Sequence, residues 1–157
     1  DDDLSRGLGD VYKRQEPIRF TRWSGEDGIC NFIQEITGCK PFSGAGINPR
    51  ILKKTTILKS VRGTPYYADD LSNFNNPQYT LFGHYGDQDI NEHRFNEPLM
   101  NPNKTKHIYL YESYKNGNKT EYIWFGEFMI DSYKTVKTPD KSGISRNVIV
   151  LSLKKKV

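Results

Sequence analysis

Between Ile51 and Val61 polar and apolar positions alternate. Leu52, Lys54, Thr56 and Leu58 fall on one face, and Ile51, Lys53, Thr55, Ile57 and Val61 on the other. The period of two and the β-branched content predict a strand. His107–Tyr114 repeats the pattern, with Ile108 and Leu110 opposite Tyr109 and Tyr111, and Asn147–Leu153 predicts a last strand. Gln78–Phe82 reads as a short one. Thr120–Tyr133 is apolar on both faces: Tyr122, Trp124, Phe128 and Ile130 on one, Ile123, Phe125 and Met129 on the other. That predicts a central strand, with Gly126 marking a bulge or a barrel corner. Helical spacing occurs in Gly28–Thr37, through Ile29, Phe32, Ile33 and Ile36, with Asp27 as N-cap and Gly38 as stop. Asp89–Leu99 has room for one helical turn, limited by Pro98.

Turn chemistry separates these elements. Gly44, Gly46 and Pro49 mark Ser43–Pro49 as a turn, Gly63-Thr64-Pro65 closes the first long strand, and Leu71–Pro77 is a polar loop. Asn116-Gly117 signals a hairpin, and Pro139 and Gly143 a loop over Lys137–Ser145. Short strands with turns between them give a mostly β (α+β) fold: a small barrel or sandwich with one or two short helices. No internal repeat or long linker divides the chain, so residues 16–157 are expected to form one domain.

Composition narrows the function classes. Of 157 residues 35% are hydrophobic, so ten tyrosines and eight phenylalanines must supply much of the core. The net charge of +4 permits a polyanionic partner. No apolar run is long enough to cross a membrane as a helix, and the expected compartment is cytoplasmic. Cys30 and Cys39 lack metal-type spacing, and His84, His93 and His107 form no HxxxH pair. There is no Gly-x-Ser-x-Gly elbow and no Walker loop, and no acidic residue follows Asp140. No catalytic residue, metal or cofactor is therefore expected. Residues 5–15 resemble the translation of a sequencing adapter and transposon end. Residues 1–15 are expected to be an artefact, disordered and extraneous to the fold; without them the charge is +5, from 20 basic and 15 acidic groups.

One constellation stands out. Tyr67-Ala68-Asp69 is followed by Tyr79-Thr80, then Gly83, Gly86, Asp87 and Gln88, then Asn96 and Leu99, Tyr111-Glu112, and Tyr122 through Gly126. In this order they resemble the SRA-like domain of McrA-type, modification-dependent (type IV) restriction enzymes, within the PUA-like superfamily. The resemblance covers about two-thirds of the chain. Leu81, Phe82 and His84 stand where the family pattern has Gly, Glu and Gln.

The resemblance implies a small twisted β-barrel whose cleft accepts an extruded base, in a non-catalytic reader of double-stranded DNA carrying 5-methyl- or 5-hydroxymethylcytosine. Its partner would be a nuclease domain or subunit of a restriction and phage-defence system. An RNA-binding PUA-like domain, accompanying a helicase or an RNA-modifying enzyme, is the alternative. Candidate pocket residues are Tyr66, Tyr67, Asp69, Tyr79, Phe82, Asp87 and Gln88, with Tyr67 as the first choice for stacking and Asp69 as acceptor of the exocyclic amine. Candidate DNA contacts are His84, Tyr85, Lys53, Lys54, Arg62 and Asn96. Structural roles stand beside these: Asp69 or Asp87 stabilising a turn, Gln88 tying two strands, the lysines forming a solvated face.

Overall fold

The computed structural model describes residues 17–42 and 44–156, and the expectation for residues 1–15 lies outside them. The elements are β1 (Ile18–Phe20), α1 (Ile29–Thr37), β2 (Ile47–Arg50), a 3-10 turn (Ile51–Lys53), β3 (Thr55–Val61), β4 (Gln78–Thr80), α2 (Asn96–Met100), β5 (His107–Asn116), β6 (Lys119–Pro139) and β7 (Ser145–Lys155). The strands form one sheet in the order β2-β3-β5-β6-β7-β4, with β1 added on β6. β3 and β5 run parallel and the other pairs antiparallel.

Alternation in β3, β5 and β6 feeds two cores on opposite faces of the sheet. Leu58, Leu110 and Phe125 point into the larger one, with Phe128, Leu151, Leu153, Tyr79 and Leu81. Their chain neighbours Ile57, Tyr111 and Trp124 point into the other, which α1 covers with Ile29 and Ile33. Ile29, Ile33, Ile57, Leu58 and Leu110 are fully buried; each such side chain contributes about 1.5–3 kcal/mol on leaving water.

Several elements depart from the expected pattern. The strand expected over Ile51–Val61 begins at Thr55, because Ile51–Lys53 turns and Lys54 takes a left-handed φ of +50°. The turn expected over Ser43–Pro49 gives way to β2, an edge strand whose Pro49 is tolerated where one strand side needs no partner. Gly28, not Asp27, caps α1. A Cβ there would meet the Ser24 carbonyl oxygen at 2.5 Å, so the close crossing of the chain requires glycine. β6 and β7 reach further than expected, leaving residues 140–144 as a hairpin tip.

Gly126 is the bulge, at φ +99°: Leu110 pairs with Gly126 and Tyr111 with Trp124, so Phe125 is the extra residue. One added residue reverses the side-chain parity that follows. Trp124 and Phe128, expected on one face, therefore lie in different cores.

The expected barrel is not closed. No ladder joins edge strands β2 and β4 among the described residues. Side chains bridge the gap: the Tyr79 hydroxyl on β4 reaches the carbonyls of Gly46 at 2.9 Å and Lys59 at 3.2 Å. The result is a curled sheet with a seam between β3 and β4.

Candidate nucleic-acid interface

The seam carries the site. The segment between β3 and β4 returns along it and places the Asp69 carboxylate between the two strands. Its Oδ2 accepts from the Ser60 hydroxyl of β3 at 2.6 Å, and its Oδ1 from the Thr80 N–H of β4 at 2.7 Å. The Thr80 hydroxyl accepts from the Ala68 N–H at 2.8 Å. Burial pushes the Asp69 carboxyl above its ordinary pKa, with the Ser60 and Thr80 hydrogen bonds opposing the shift.

A cavity lies on either side of this carboxylate, and Val61, Thr64, Tyr67 and Asp69 line both. The first holds about 300 Å³ between the Gly44–Ile47 turn and the rings of Tyr66, Tyr67, Tyr79, Phe82 and His84. The second holds about 520 Å³ and opens between Arg19, Arg62, Glu112, Phe74 and Phe125. The smaller lies at the lower end of the range for small-molecule sites. Benzene enters an apolar cavity of roughly 150 Å³, so one pyrimidine ring fits with room to spare.

Tyr66, Tyr67, Phe82, His84 and Tyr85 form one aromatic group. His84 lies 5.5 Å from Tyr66, 6.0 Å from Tyr67, 5.4 Å from Phe82 and 6.5 Å from Tyr85, centroid to centroid. Burial pushes the Tyr67 phenol up to about 12. Burial also lowers the His84 pKa, and the cations Lys141 and Arg146 lower it further.

The remaining expected pocket residues build the frame. Tyr79 is 3% exposed and its hydroxyl is committed to the seam. Gln88 donates to the carbonyls of Leu81 and Gly83 and accepts from the Ile149 N–H. Asp87 accepts from the Asn147 N–H at 2.8 Å. Both hold the Gly83–Gly86 loop on β7. Gly86 takes a left-handed φ of +65°, which the sharp turn after Tyr85 requires.

The expected DNA contacts divide. His84 and Tyr85 project from the loop beside Tyr67, and Tyr85 is exposed. Asn96 is fully buried and ties Phe82 to Asp89 by backbone hydrogen bonds, so it has no surface to offer DNA. Arg62 pairs with Glu112 at 2.7 Å and covers the Tyr114 ring, facing the larger cavity. Lys53 and Lys54 precede Thr55, at the end of β3 about 20 Å from Val61 at 3.3 Å per residue. They do not converge with the aromatic group.

Arg146 was not legible in the sequence. It is 3% exposed and donates to the carbonyls of Gly83 at 2.5 Å, Gly86 at 3.2 Å and Tyr66 at 2.7 Å. One guanidinium thus fixes both the glycine loop and the Tyr66–Tyr67 wall. Its Nε is buried without a hydrogen-bond partner, and among the described residues it forms no ion pair. Lys141, at the β6–β7 hairpin tip, donates its N–H to the His84 carbonyl and places Nζ 5.8 Å from the Tyr66 ring. Lys141 brings an exposed positive charge beside the Tyr66 ring, while the Arg146 charge is buried behind the loop, with Asp140 close enough to feel it. No group of three His, Cys, Asp or Glu side chains suited to a metal occurs among the described residues.

No family model matches the sequence, and comparison with curated proteins returns no match. Solved structures do match in fold. The MspJI restriction endonuclease, in complex with an oligonucleotide, superimposes with a TM-score of 0.62 at 12% identity, over 95% of this chain and 44% of that one. KRYPTONITE, in complex with mCHH DNA, a histone H3 peptide and SAH, gives 0.56 at 15% identity, over 88% of this chain and 31% of that one. The SUVH5 SRA domain with methylated CHH DNA gives 0.52 at 19% identity, over 80% and 82%. This chain has the fold of these SRA and SRA-like domains, and it spans less than half of MspJI and of KRYPTONITE.

Proposed function

We propose that this SRA-like domain is a non-catalytic reader of double-stranded DNA carrying a C5-modified cytosine, which it draws out of the helix into the 300 Å³ cavity. The observation that carries the reading is the seam. Its cavity joins an aromatic wall, Tyr66 and Tyr67, to the Asp69 carboxylate on a fold shared with proteins solved on methylated DNA. Extruding a base costs a few kcal/mol of lost stacking and pairing. Stacking on an aromatic ring returns about 1–3 kcal/mol, and a hydrogen bond to a charged group about 1.5–3 kcal/mol. One ring and one carboxylate therefore balance the cost.

Asp69 has capacity for this. A carboxylate has about four acceptor positions; Ser60 takes one and Thr80 two, through its N–H and its hydroxyl, which leaves one for the exocyclic amine of cytosine. Lys141, exposed at the hairpin tip beside Tyr66, supplies positive charge for the backbone of the displaced nucleotide. A nuclease domain or subunit would act on what this module recognises, as the restriction-enzyme neighbours suggest.

A panel of otherwise identical duplexes bearing cytosine, 5-methylcytosine or 5-hydroxymethylcytosine, at one stated salt concentration, tests the reading. Tighter binding to at least one modified duplex is expected. Equal affinity for all three, or displacement of DNA by structured RNA at equal concentration, overturns it.

A further inference from the structure

The larger cavity, about 520 Å³, lies across the Asp69 partition from the one assigned to cytosine, and its chemistry differs. Its volume is within the range of small-molecule sites. Leu71, Phe74, Ile123 and Phe125 give it an apolar wall, with the Phe74 and Phe125 rings 5.5 Å apart. Beside that wall β5 places Glu112, whose side chain is 8% exposed. A carboxylate so withdrawn from water is costly unless its oxygens are matched. Arg62 matches Oε1 at 2.7 Å and is the only hydrogen-bond partner of Glu112 among the described residues. Oε2 is unpartnered without being sealed in. Of about four acceptor positions on the carboxylate, three are unused. Arg62 spends one N–H donor on Glu112 and lies over the Tyr114 ring at 4.4 Å. Arg19, exposed on β1, spends one on the Tyr114 hydroxyl at 3.3 Å. A guanidinium has five such donors, so both arginines keep several for a ligand.

We propose that this cavity binds a guanine nucleotide, with the base edge on the Glu112–Arg62 pair and the phosphate at Arg19. The Watson–Crick edge of guanine carries two adjacent donors, N2–H and N1–H, followed by the O6 acceptor. A carboxylate joined to a guanidinium offers the complement in the same order: two acceptor oxygens, then a donor N–H. Adenine, cytosine and uracil each lack two adjacent donors and leave one of the oxygens unmatched. Simpler ligands fit less well. A bare phosphate leaves Glu112 unmatched, and an amine meets two guanidiniums. The ring face of the base lies against the phenylalanine wall, which covers apolar surface on both. This site uses neither Tyr67 nor the Asp69 carboxylate, so it stands apart from the modified-base reading.

Titration calorimetry of GMP, IMP and AMP into the full chain, at one salt concentration, tests the assignment. GMP is expected to bind most tightly. IMP, which lacks only the 2-amino donor, is expected to lose roughly ten- to a hundredfold, the range for one hydrogen bond to a charged group, and AMP at least as much. Glu112→Gln turns an acceptor into a donor facing the base and is expected to erase the preference for GMP over AMP. Arg19→Ala is expected to weaken all three nucleotides alike. Thermal midpoints show whether each variant folds; if Glu112→Gln does not, the three ligands on the wild-type protein decide alone. A guanine-bearing single strand that displaces GMP makes DNA the source of the nucleotide, and one that does not makes it the free pool; either result keeps the site. No saturable binding of GMP at millimolar concentration, equal affinity for GMP, IMP and AMP, or a folded Glu112→Gln protein that still prefers GMP overturns the assignment.

Discussion

At the scale of single residues, two titratable groups stand against their solvent preference. Asp69 is held between strands with its pKa raised by burial. A folded-state value above the unfolded one means that the ionised form costs stability, and the cost grows as pH rises through that range. Asp69→Asn keeps an acceptor for the Thr80 N–H, replaces the acceptor of the Ser60 hydroxyl by an amide donor, and carries no charge. Relative to wild type it is expected to gain stability as pH rises above about 4, the ordinary carboxyl value, measured by urea midpoints, while losing roughly tenfold or more in preference for the modified duplex. A variant that keeps the preference would assign Asp69 to the seam alone. Lys155 is the second group. Its Nζ lies 3.7 Å from the Phe74 ring and 4.6 Å from Phe128, and it donates to the Phe125 carbonyl. Burial lowers its pKa to about 7. Between that value and about 10.4 the unfolded chain holds a proton that the folded one has shed, so stability rises with pH across this window. Lys155→Met is expected to flatten that slope and to be most stabilising below pH 7, read from denaturation midpoints at a series of pH values.

At the scale of elements, legibility followed locality. β5, β7 and most of β6 were legible because period-two patterning is written in neighbouring residues, and Gly126 announced its bulge. The consequence of the bulge was not legible, because whether Phe125 or a neighbour is the extra residue depends on the pairing with β5. Gly126→Ala tests it: at φ +99° a Cβ is strained, and a loss of about 1–3 kcal/mol in equilibrium unfolding is expected. β2 was hidden because Gly44, Gly46 and Pro49 spell a turn, and only pairing with β3 makes Ile47–Arg50 a strand. In the candidate site, Tyr67, Asp69 and His84 were legible from motif and residue type. Arg146 was not, since its partners are carbonyls 60 to 80 residues away in sequence, which leave no side-chain signature. Asn96, Asp87 and Gln88 stood in the motif for the loop they hold.

At the scale of the whole molecule, the curled sheet depends on side chains where a barrel would use a ladder. Tyr79→Phe removes the hydroxyl from two carbonyls and is expected to lower stability by about 1–3 kcal/mol in urea unfolding. The two cavities would be expected to merge more readily as the seam loosens, since Tyr67 and Asp69 are the partition between them.

That seam also has a mechanical meaning. A ladder resists widening at every residue, whereas two side chains resist it at two points. β3 is anchored to β5, and β4 to β7, so each rim of the slot rests on a rail of its own. Widening the gap between the rims therefore breaks no strand pair; it breaks only the side-chain bridges from Tyr79 and Asp69.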